Sequence, residues 1–182
     1  MFRFRHKVNE DTYLKLLDVR DADQIFALID ESRDYLREWL PFVDNTHTVA
    51  DIQDFIQSGL QKYASNNGAE LGIEYRGQLA GVLGLHYINW SHRTTTLGYW
   101  IGERFQGNGL MTNSCRVLVD TLFKEHGLNR IEIQVAPQNL KSRAIPERLG
   151  FQNEGCRQQV EWLYDHYVDH IIYGMLAQDW KT

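Results

Sequence analysis

The sequence contains only two cysteines, Cys115 and Cys156, and neither stands in the spacing of a metal site or a disulfide framework. We therefore expect reduced thiols and no bound metal ion. The sequence also lacks a run of the roughly 18 apolar residues that a membrane span requires. Its N-terminus has no apolar segment typical of a signal peptide. These absences predict a cytoplasmic protein without a membrane partner.

An excess of positive charge is missing as well. Lysine and arginine together number 19 against 24 acidic residues, which gives a formal net charge of −5. Because non-specific binding to nucleic acid usually depends on a basic face, we expect no direct contact with nucleic acid. The basic residues near the N-terminus are predicted to lie on the solvated surface; they are Arg3, Arg5, His6 and Lys7.

The apolar content of the sequence is sufficient for one substantial core. Its residues are 43% hydrophobic and 12% aromatic, which excludes a largely disordered chain. A length of 182 residues matches one globular domain. Because no repeat, linker or low-complexity segment interrupts the chain, we predict a single domain over residues 1–182.

The first half of the chain carries helical periodicity and then strand-like segments. A short β-prone run at Tyr13–Leu17 precedes apolar residues at helical spacing, and Pro41 ends that predicted helix. Thr48–Asp51 resembles a capping box, with Asp in place of the usual Glu or Gln, and begins a second amphipathic helix. Glu70–Tyr75 and Leu79–Ile88 then predict an antiparallel hairpin.

The second half alternates strands with helices. Thr94–Ile101 predicts a strand, and a glycine-containing loop and an amphipathic helix follow it. Arg130–Val135 alternates with a period of two, and Leu140–Leu149 predicts a short helix with Asn139 as its cap. The tail alternates up to residue 175 and has a turn near residues 164–166. The order of elements predicts an α+β (mixed α/β) fold with helices flanking a mixed sheet.

The loop Arg104–Gly109 lies between a predicted strand and a predicted helix. Gly107 and Gly109 can adopt positive φ and let a ligand approach the main chain closely. Several backbone N–H groups would then point to one place at the positive end of the helix dipole, which favours an anion such as phosphate. The alternative is an ordinary tight turn. The position of the loop does not fit a dinucleotide-binding fold, and no Walker A lysine follows the glycines.

Three short motifs occur in a fixed order along the chain. They are Arg104-x-x-Gly107-x-Gly109, Asn139-x-x-Ser142 and Leu149-Gly150-Phe151. Together they resemble the Gcn5-related (GNAT) N-acetyltransferases, over about residues 10–176. The segments Gly98–Ile101 and Glu154–Leu163, with Tyr167 and Asp169, resemble the RimL/RimJ-like branch, the ribosomal-protein N-terminal acetyltransferases.

The resemblance implies a fold and a co-substrate. The GNAT fold has a central mixed, mostly antiparallel sheet with splayed central strands flanked by helices, and these enzymes bind acetyl-coenzyme A. The pyrophosphate would lie on the loop, with the backbone amides of Gln106 to Gly109 as the main ligands. The full set of residues implied to bind the cofactor is Tyr99, Trp100, Ile101, Arg104, Gln106, Gly107, Asn108, Gly109, Leu110, Met111, Asn139 and Ser142.

The same resemblance implies two catalytic residues. Glu161 would act as the general base, directly or through water, and Ser142 would lie near the sulfur as a proton donor or hydrogen-bond partner of the thiolate. The alternative for Glu161 is an exposed strand carboxylate, and for Ser142 a place in the helix cap. Pro146 lies within the predicted helix and removes the hydrogen bond to the carbonyl of Ser142, so we expect it to shorten or kink that helix.

The function implied is direct acetyl transfer from acetyl-CoA to a primary amine in a ternary complex. The RimL/RimJ-like features favour the N-terminal α-amino group of a ribosomal protein as acceptor. Two alternatives stay open at this point. One is a small amine such as a polyamine, an aminoglycoside or an amino acid, and the other is a CoA-binding sensor or scaffold without catalysis. A homodimer is expected by analogy alone.

Overall fold

The computed structural model describes residues 5–181 and contains eight strands and five α-helices in that range. The strands are β1 (Arg5–Lys7), β2 (Thr12–Leu16), β3 (Ala69–Tyr75), β4 (Gln78–Asn89), β5 (Thr94–Ile101), β6 (Arg130–Val135), β7 (Gln152–Leu163) and β8 (His166–Leu176). The helices are α1 (Ala22–Glu31), α2 (Arg33–Arg37), α3 (Val49–Ala64), α4 (Leu110–Lys124) and α5 (Leu140–Leu149).

All eight strands form one sheet in the order β1-β2-β3-β4-β5-β6-β8-β7. Within the described chain, β5 and β6 are the parallel pair and every other neighbouring pair is antiparallel. The β5–β6 pairing ends at Leu97 and Ile133, although β5 continues to Ile101. The predicted α+β fold, with a mixed, mostly antiparallel sheet and splayed central strands, is confirmed.

Helices cover both faces of this sheet because its central strands are buried on both sides. Adjacent residues of β4 illustrate the alternation. Val82 packs in a cluster with apolar residues of α1 and α3, whereas Leu83 packs in a second cluster with residues of α4 and α5. The splayed ends of β5 and β6 therefore lie between two helical layers. No helix in the described part of the chain is long and apolar enough to cross a membrane.

Local signals placed many elements correctly. The Thr48 hydroxyl accepts a hydrogen bond from the Asp51 amide at 3.4 Å, and the Asp51 carboxylate accepts one from the Thr48 amide at 2.8 Å. This capping box starts α3 as predicted. The hairpin β3–β4, the strand β5 and the short helix α5 are also confirmed.

The helix predicted to run up to Pro41 is wrong. The structure has two helices, α1 and α2, with a break at Ser32, whose φ and ψ are −113° and 14°. The Ser32 side chain is buried and its hydroxyl accepts a hydrogen bond from the backbone N–H of Glu103 at 3.0 Å. This contact with a loop 71 residues away interrupts the helix, and local periodicity carries no sign of it.

The basic N-terminal group also has more structure than predicted. Arg5 and Lys7 are exposed, in agreement with the prediction, but they belong to edge strand β1. Arg5 forms an ion pair with Glu74 at 2.5 Å and its guanidinium lies 3.8 Å from the ring centroid of Tyr13. Arg3 lies outside the described residues.

Candidate active site

The site begins where β5 and β6 separate. Beyond Leu97, no described strand pairs with the β6-facing edge of β5, so residues 98–101 present backbone groups to the gap. Unpaired backbone N–H and C=O groups require hydrogen-bond partners. An extended ligand with amide groups, inserted like an additional strand, would supply them.

A cavity of about 750 Å³ occupies this gap. It is lined by α2 and the segment that follows it, the end of β5, the start of α4 and one face of α5. All of the predicted cofactor-binding residues except Arg104 and Asn108 line it. They are Tyr99, Trp100, Ile101, Gln106, Gly107, Gly109, Leu110, Met111, Asn139 and Ser142. Predicted residues up to 43 positions apart in the sequence thus line one cavity of roughly ligand size.

The loop before α4 has the geometry of an anion site. Gly107 and Gly109 have φ values of +76° and +69°. The first hydrogen bond of α4 joins the Asn113 amide to the Gly109 carbonyl at 3.0 Å, so the amides of residues 110–112 precede the helical ladder. No carbonyl partner for those three amides exists within residues 5–181, and these residues line the cavity. Free amides at a helix N-terminus favour a phosphate group.

Two residues of this loop, Gln106 and Asn108, make hydrogen bonds within the loop itself. The Gln106 amide donates to the Glu103 carbonyl at 3.2 Å and closes a turn. The Asn108 side-chain amide donates to the carbonyls of Phe105 and Gln106, both at 3.1 Å. Both residues therefore brace the loop from within. The amides open to a ligand begin at Gly107.

The Arg104 side chain lies away from the main cavity. Its guanidinium lies 3.5 Å from the Glu31 carboxylate and 4.7 Å from the ring centroid of Phe105. It contributes to a second, smaller hollow beside α1 and the β3–β4 turn. The structure thus places Arg104 outside the main cavity.

Asn139 and Ser142 meet Tyr99 across the cavity. The Asn139 side-chain oxygen accepts a hydrogen bond from the Ser142 amide at 3.1 Å and caps α5. The Tyr99 hydroxyl donates to the Ser142 carbonyl at 2.9 Å. Burial raises the pKa of Tyr99 well above its usual value of 10, so its hydroxyl keeps its proton and acts as a donor.

Pro146 does not shorten α5, contrary to our expectation. The helix runs from Leu140 to Leu149 with Pro146 inside it. Proline has no N–H to offer to the carbonyl of Ser142, and the Tyr99 hydroxyl occupies that acceptor instead. A donor from β5 thus replaces the missing helical hydrogen bond and fixes α5 to the sheet.

Sequence analysis did not identify the two cations of α5 that line the cavity, Lys141 and Arg148. They lie seven positions apart, which places them on one face of the helix, and this spacing was the available signal. The Lys141 ammonium lies 3.1 Å from the Gln106 side-chain oxygen and 5.4 Å from the ring centroid of Tyr35. Lys141 therefore brings positive charge from α5 to the anion-binding loop.

Glu161 lies on the tail hairpin, outside the wall of the cavity as the described residues define it. One of its carboxylate oxygens is 2.8 Å from Nε2 of His170 on the neighbouring strand. The turn of the same hairpin contacts the α2 segment, because the Tyr164 hydroxyl donates to the Arg37 carbonyl at 2.6 Å. Since α2 forms part of the cavity wall, this contact holds the hairpin beside the cavity.

Metal chemistry has no obvious ligands in this region. Within residues 5–181, no group of three or more His, Cys, Asp or Glu side chains could hold a metal ion. Burial raises the pKa of the Cys115 thiol far above its usual range, so this thiol stays protonated inside α4.

Comparisons with known proteins agree with the fold. Residues 12–152 match the family described as acetyltransferase (GNAT) domain. The chain is 36% identical over 179 residues to a Bacillus subtilis protein named "Putative ribosomal N-acetyltransferase YdaF", and the match covers 98% of both chains. It is 25% identical over 170 residues to the ribosomal-protein-serine acetyltransferase of Escherichia coli, over 93% of this chain and 95% of that protein.

Solved structures extend the comparison to ligand complexes. The microcin C7 self-immunity acetyltransferase MccE, crystallised with acetyl-CoA and AMP, matches with a TM-score of 0.92 and 27% identity over 96% of this chain and 97% of its own. RimL in complex with coenzyme A matches with a TM-score of 0.91 at 23% identity, over 94% and 97%, and shows the shared fold. The free amides, the open edge of β5 and the cation of α5 suit the phosphates and amides of such a ligand. The chain belongs to the GNAT acetyltransferases, which are enzymes that use acetyl-CoA.

Proposed function

We propose that this enzyme acetylates the N-terminal α-amino group of a protein, with a ribosomal protein as the acceptor, by direct attack within a ternary complex. One observation carries the proposal: the turn of the tail hairpin contacts, through Tyr164 and Arg37, the α2 segment that forms part of the cavity wall. Trp162 and Tyr167 of this hairpin are exposed and pack together with ring centroids 4.9 Å apart. Exposed aromatic side chains beside a site are suited to contact with a peptide.

Several groups of this chain are suited to bind the co-substrate. The amides of residues 107 and 109–112 would hold the pyrophosphate, with Lys141 adding positive charge. The edge of β5 at residues 98–101 would donate and accept hydrogen bonds along the pantetheine arm. Acetyl-CoA supplies an acetyl group that is activated as a thioester.

We assign to Glu161 the role of the general base that deprotonates the ammonium form of the acceptor before attack, directly or through water, and to Ser142 the hydrogen bond to the leaving thiolate. A free α-amino group has a pKa of roughly 7.7–8.0, so a modest base suffices to deprotonate it near neutral pH. The Asn139 cap and the Tyr99 hydrogen bond support the placement of Ser142 at the cavity wall. The Glu161 carboxylate has His170 as its neighbour at 2.8 Å, which restricts its orientation.

Two wider assignments accompany this proposal. The single sheet that runs from β1 to β8 supports the assignment of residues 1–182 to one acetyltransferase domain. A cytoplasmic location follows from the proposed acceptor, since ribosomal proteins are made and assembled there. The relatives named as ribosomal acetyltransferases support both the acceptor and the location.

A small amine is the second candidate acceptor. MccE, at 27% identity, was crystallised in complex with acetyl-CoA and AMP, so a protein of closely similar fold binds a small molecule in addition to the co-substrate. A cavity of about 750 Å³ would accommodate a co-substrate arm and a compact amine together. A polyamine, an aminoglycoside or an amino acid is the corresponding chemical class.

Mass spectrometry of ribosomal proteins tests the proposal. Proteins extracted from ribosomes are incubated with the enzyme and acetyl-CoA, and every N-terminus is examined for one added acetyl group. The control reactions omit the enzyme or replace it with Glu161→Gln. Acetylation of a defined N-terminus by the parent enzyme is the expected result. If all N-termini stay unmodified while a small amine in a parallel panel releases free thiol, the second candidate replaces the first.

A further inference from the structure

His86 of β4 lies directly against the main chain of β5 at Gly98. A Cβ atom added to Gly98 would overlap Nε2 of His86 and would lie only 2.8 Å from its Cε1. The imidazole therefore occupies the space that a side chain at residue 98 would fill. The space beside Gly84, the antiparallel partner of Gly98, is taken instead by the Glu70 carboxylate.

A β-bulge aims His86 at this position. The β4–β5 register shifts between Leu85 and Ile88, so that His86 and Tyr87 together stand opposite a single residue of β5. The Thr95 hydroxyl donates to the Tyr87 carbonyl at 2.8 Å and fixes the bulge. Bulges often redirect a side chain next to a functional site. Here the redirected side chain is an imidazole.

Gly98 lies at the start of the gap between β5 and β6. It directly follows Leu97, the last β5 residue that pairs with β6. Because side chains alternate along a strand, Gly98 and His86 lie on the face opposite to the one that Tyr99 and Ser142 share. Trp100, two residues further along β5, contacts Phe42 with ring centroids 6.4 Å apart, which identifies this face as the one beside α2.

The His86 ring has the properties of an available proton acceptor. Neither ring nitrogen has a hydrogen-bond partner within residues 5–181, and the residue is exposed. Its pKa is lowered from 6.5, first by partial burial and then by the charge of Lys62, while the charge of Glu70 opposes the shift. The charged groups that face it are thus Glu70 on β3 and Lys62 on α3, which pair at 2.9 Å. The imidazole is therefore neutral near pH 7.

We infer that His86 is a catalytic residue that takes up the proton of the acceptor amine at the gap between β5 and β6. The inference rests on the proposed function only in that the acceptor is an amine. As the nitrogen bonds to the acetyl carbon and the C–S bond breaks, the proton of the nitrogen passes to Nε2 of His86. The sulfur leaves as the thiolate of coenzyme A and takes a proton from solvent.

Glu161 then serves the same reaction from the tail hairpin. His86 lies on β4 against Gly98, the residue at which the gap begins, whereas Glu161 lies on β7, two strands beyond β6 in the sheet. The Glu161 carboxylate attracts the positively charged acceptor and takes the first proton, that of the ammonium group, before attack, whereas His86 takes the second proton during attack. The two side chains are distinguished by the pH dependence of the rate, because the proton that leaves the nitrogen during attack passes only to His86.

The test is the slope of log kcat/KM against pH between about pH 5 and 8. A short peptide with an N-terminal serine and the polyamine spermidine serve as acceptors in parallel, with release of coenzyme A as the readout. Both the amine and His86 must lose a proton, so the parent slope approaches about two below the lowered pKa of His86. His86→Gln reduces kcat roughly 100-fold and keeps a slope of about one throughout.

Three further variants make the outcome decisive. Gly98→Ala displaces the ring and is expected to reproduce the slope of His86→Gln. Glu161→Gln keeps the slope of about two, and His92→Gln, an exposed histidine beyond the end of β4, behaves as the parent. Affinity for coenzyme A, measured by calorimetry, confirms that each variant is folded.

Each result supports or overturns one assignment. A slope that stays near two in His86→Gln, or a parent slope of one, overturns the role of His86. Turnover of spermidine but not of the peptide overturns the proposed protein acceptor and leaves the slope test in place. Absence of turnover with both amines contradicts the proposed function and this inference together.

Discussion

The hydroxyl of Tyr99 donates a hydrogen bond to the carbonyl oxygen of Ser142 at 2.9 Å, and this oxygen is the one that Pro146 leaves without an amide donor in α5. The two features depend on each other. A helix interior with proline requires another donor, and a tyrosine on β5 requires a free acceptor. Their contact fixes the position of α5, and with it that of Ser142, relative to the open edge of β5.

Replacement of Tyr99 by phenylalanine should therefore destabilise the protein, and the size of the loss should depend on whether Pro146 is present. We expect Tyr99→Phe to lower the free energy of unfolding by about 1–3 kcal/mol, because the Ser142 carbonyl loses its donor. In the Pro146→Ala background the alanine amide supplies a helical donor, so the same substitution should cost less. Denaturant unfolding of the four proteins measures this coupling. Equal costs in both backgrounds would show that the two residues are independent.

Gly107 lies in the anion-binding loop, and Gly77, which has a similar backbone conformation elsewhere in the fold, serves as its control. Their φ values are +76° and +79°, and a Cβ atom at either would meet nothing within 4 Å. Alanine at either site should cost about 1–2 kcal/mol of stability because of the left-handed conformation. Only Gly107→Ala should weaken coenzyme A binding, since Gly77 lies in the β3–β4 turn. Calorimetric titration with coenzyme A decides this, and equal affinities in both variants would contradict the assignment of the loop.

The positive charge of Lys141 should matter for the phosphates of the ligand and not for its pantetheine arm. We expect Lys141→Met to weaken coenzyme A binding by about 1 kcal/mol at low salt, with a smaller loss at high salt. Binding of pantetheine, which lacks the phosphates, should not change. Lys124→Met is the control, because Lys124 pairs with Asp120 near the C-terminal end of α4. A loss that is the same for both ligands would indicate a packing role.

The hydroxyl of Ser142 can be tested apart from its place in the helix cap. Asn139 bonds to the backbone amide of Ser142, so Ser142→Ala retains the cap and should leave the unfolding free energy nearly unchanged. We expect kcat to fall while the affinity for acetyl-CoA is retained, because the hydroxyl acts only on the developing thiolate. Asn139→Ala is the contrasting variant and should lose stability. Unchanged kcat in Ser142→Ala would remove Ser142 from the mechanism.

The parts of this site that were predictable from sequence are those with local signals. The bounds of β5, the glycine loop and the Asn139 cap of α5 follow from periodicity and from turn and cap chemistry within a few residues. The contacts that complete the site join residues far apart. Tyr99 and Ser142 are separated by 43 positions and Gln106 and Lys141 by 35. The register of the sheet brings His86 next to Gly98, and a bulge that has no sequence signature directs the His86 ring toward it.

The pH dependence of His86 should respond to Lys62. The ammonium of Lys62 lowers the pKa of His86 because it disfavours a second positive charge nearby, and it also partly neutralises Glu70. Lys62→Met removes the repulsion and leaves the Glu70 carboxylate unpaired, so both effects raise the pKa of the imidazole. The ring then charges at higher pH, and activity at mildly acidic pH should fall as the protonated fraction grows.

Nuclear magnetic resonance of the imidazole measures this shift directly. The His86 signal is assigned by its absence in His86→Gln, and its titration is compared between the parent and Lys62→Met. A higher pKa in Lys62→Met, with a parallel shift of the acidic limb of kcat/KM, is the expected pair of results. Lys124→Met should change neither, because Lys124 is not among the charges that act on His86. If the pKa of His86 rises but the acidic limb of kcat/KM does not shift, His86 does not accept the proton of the amine.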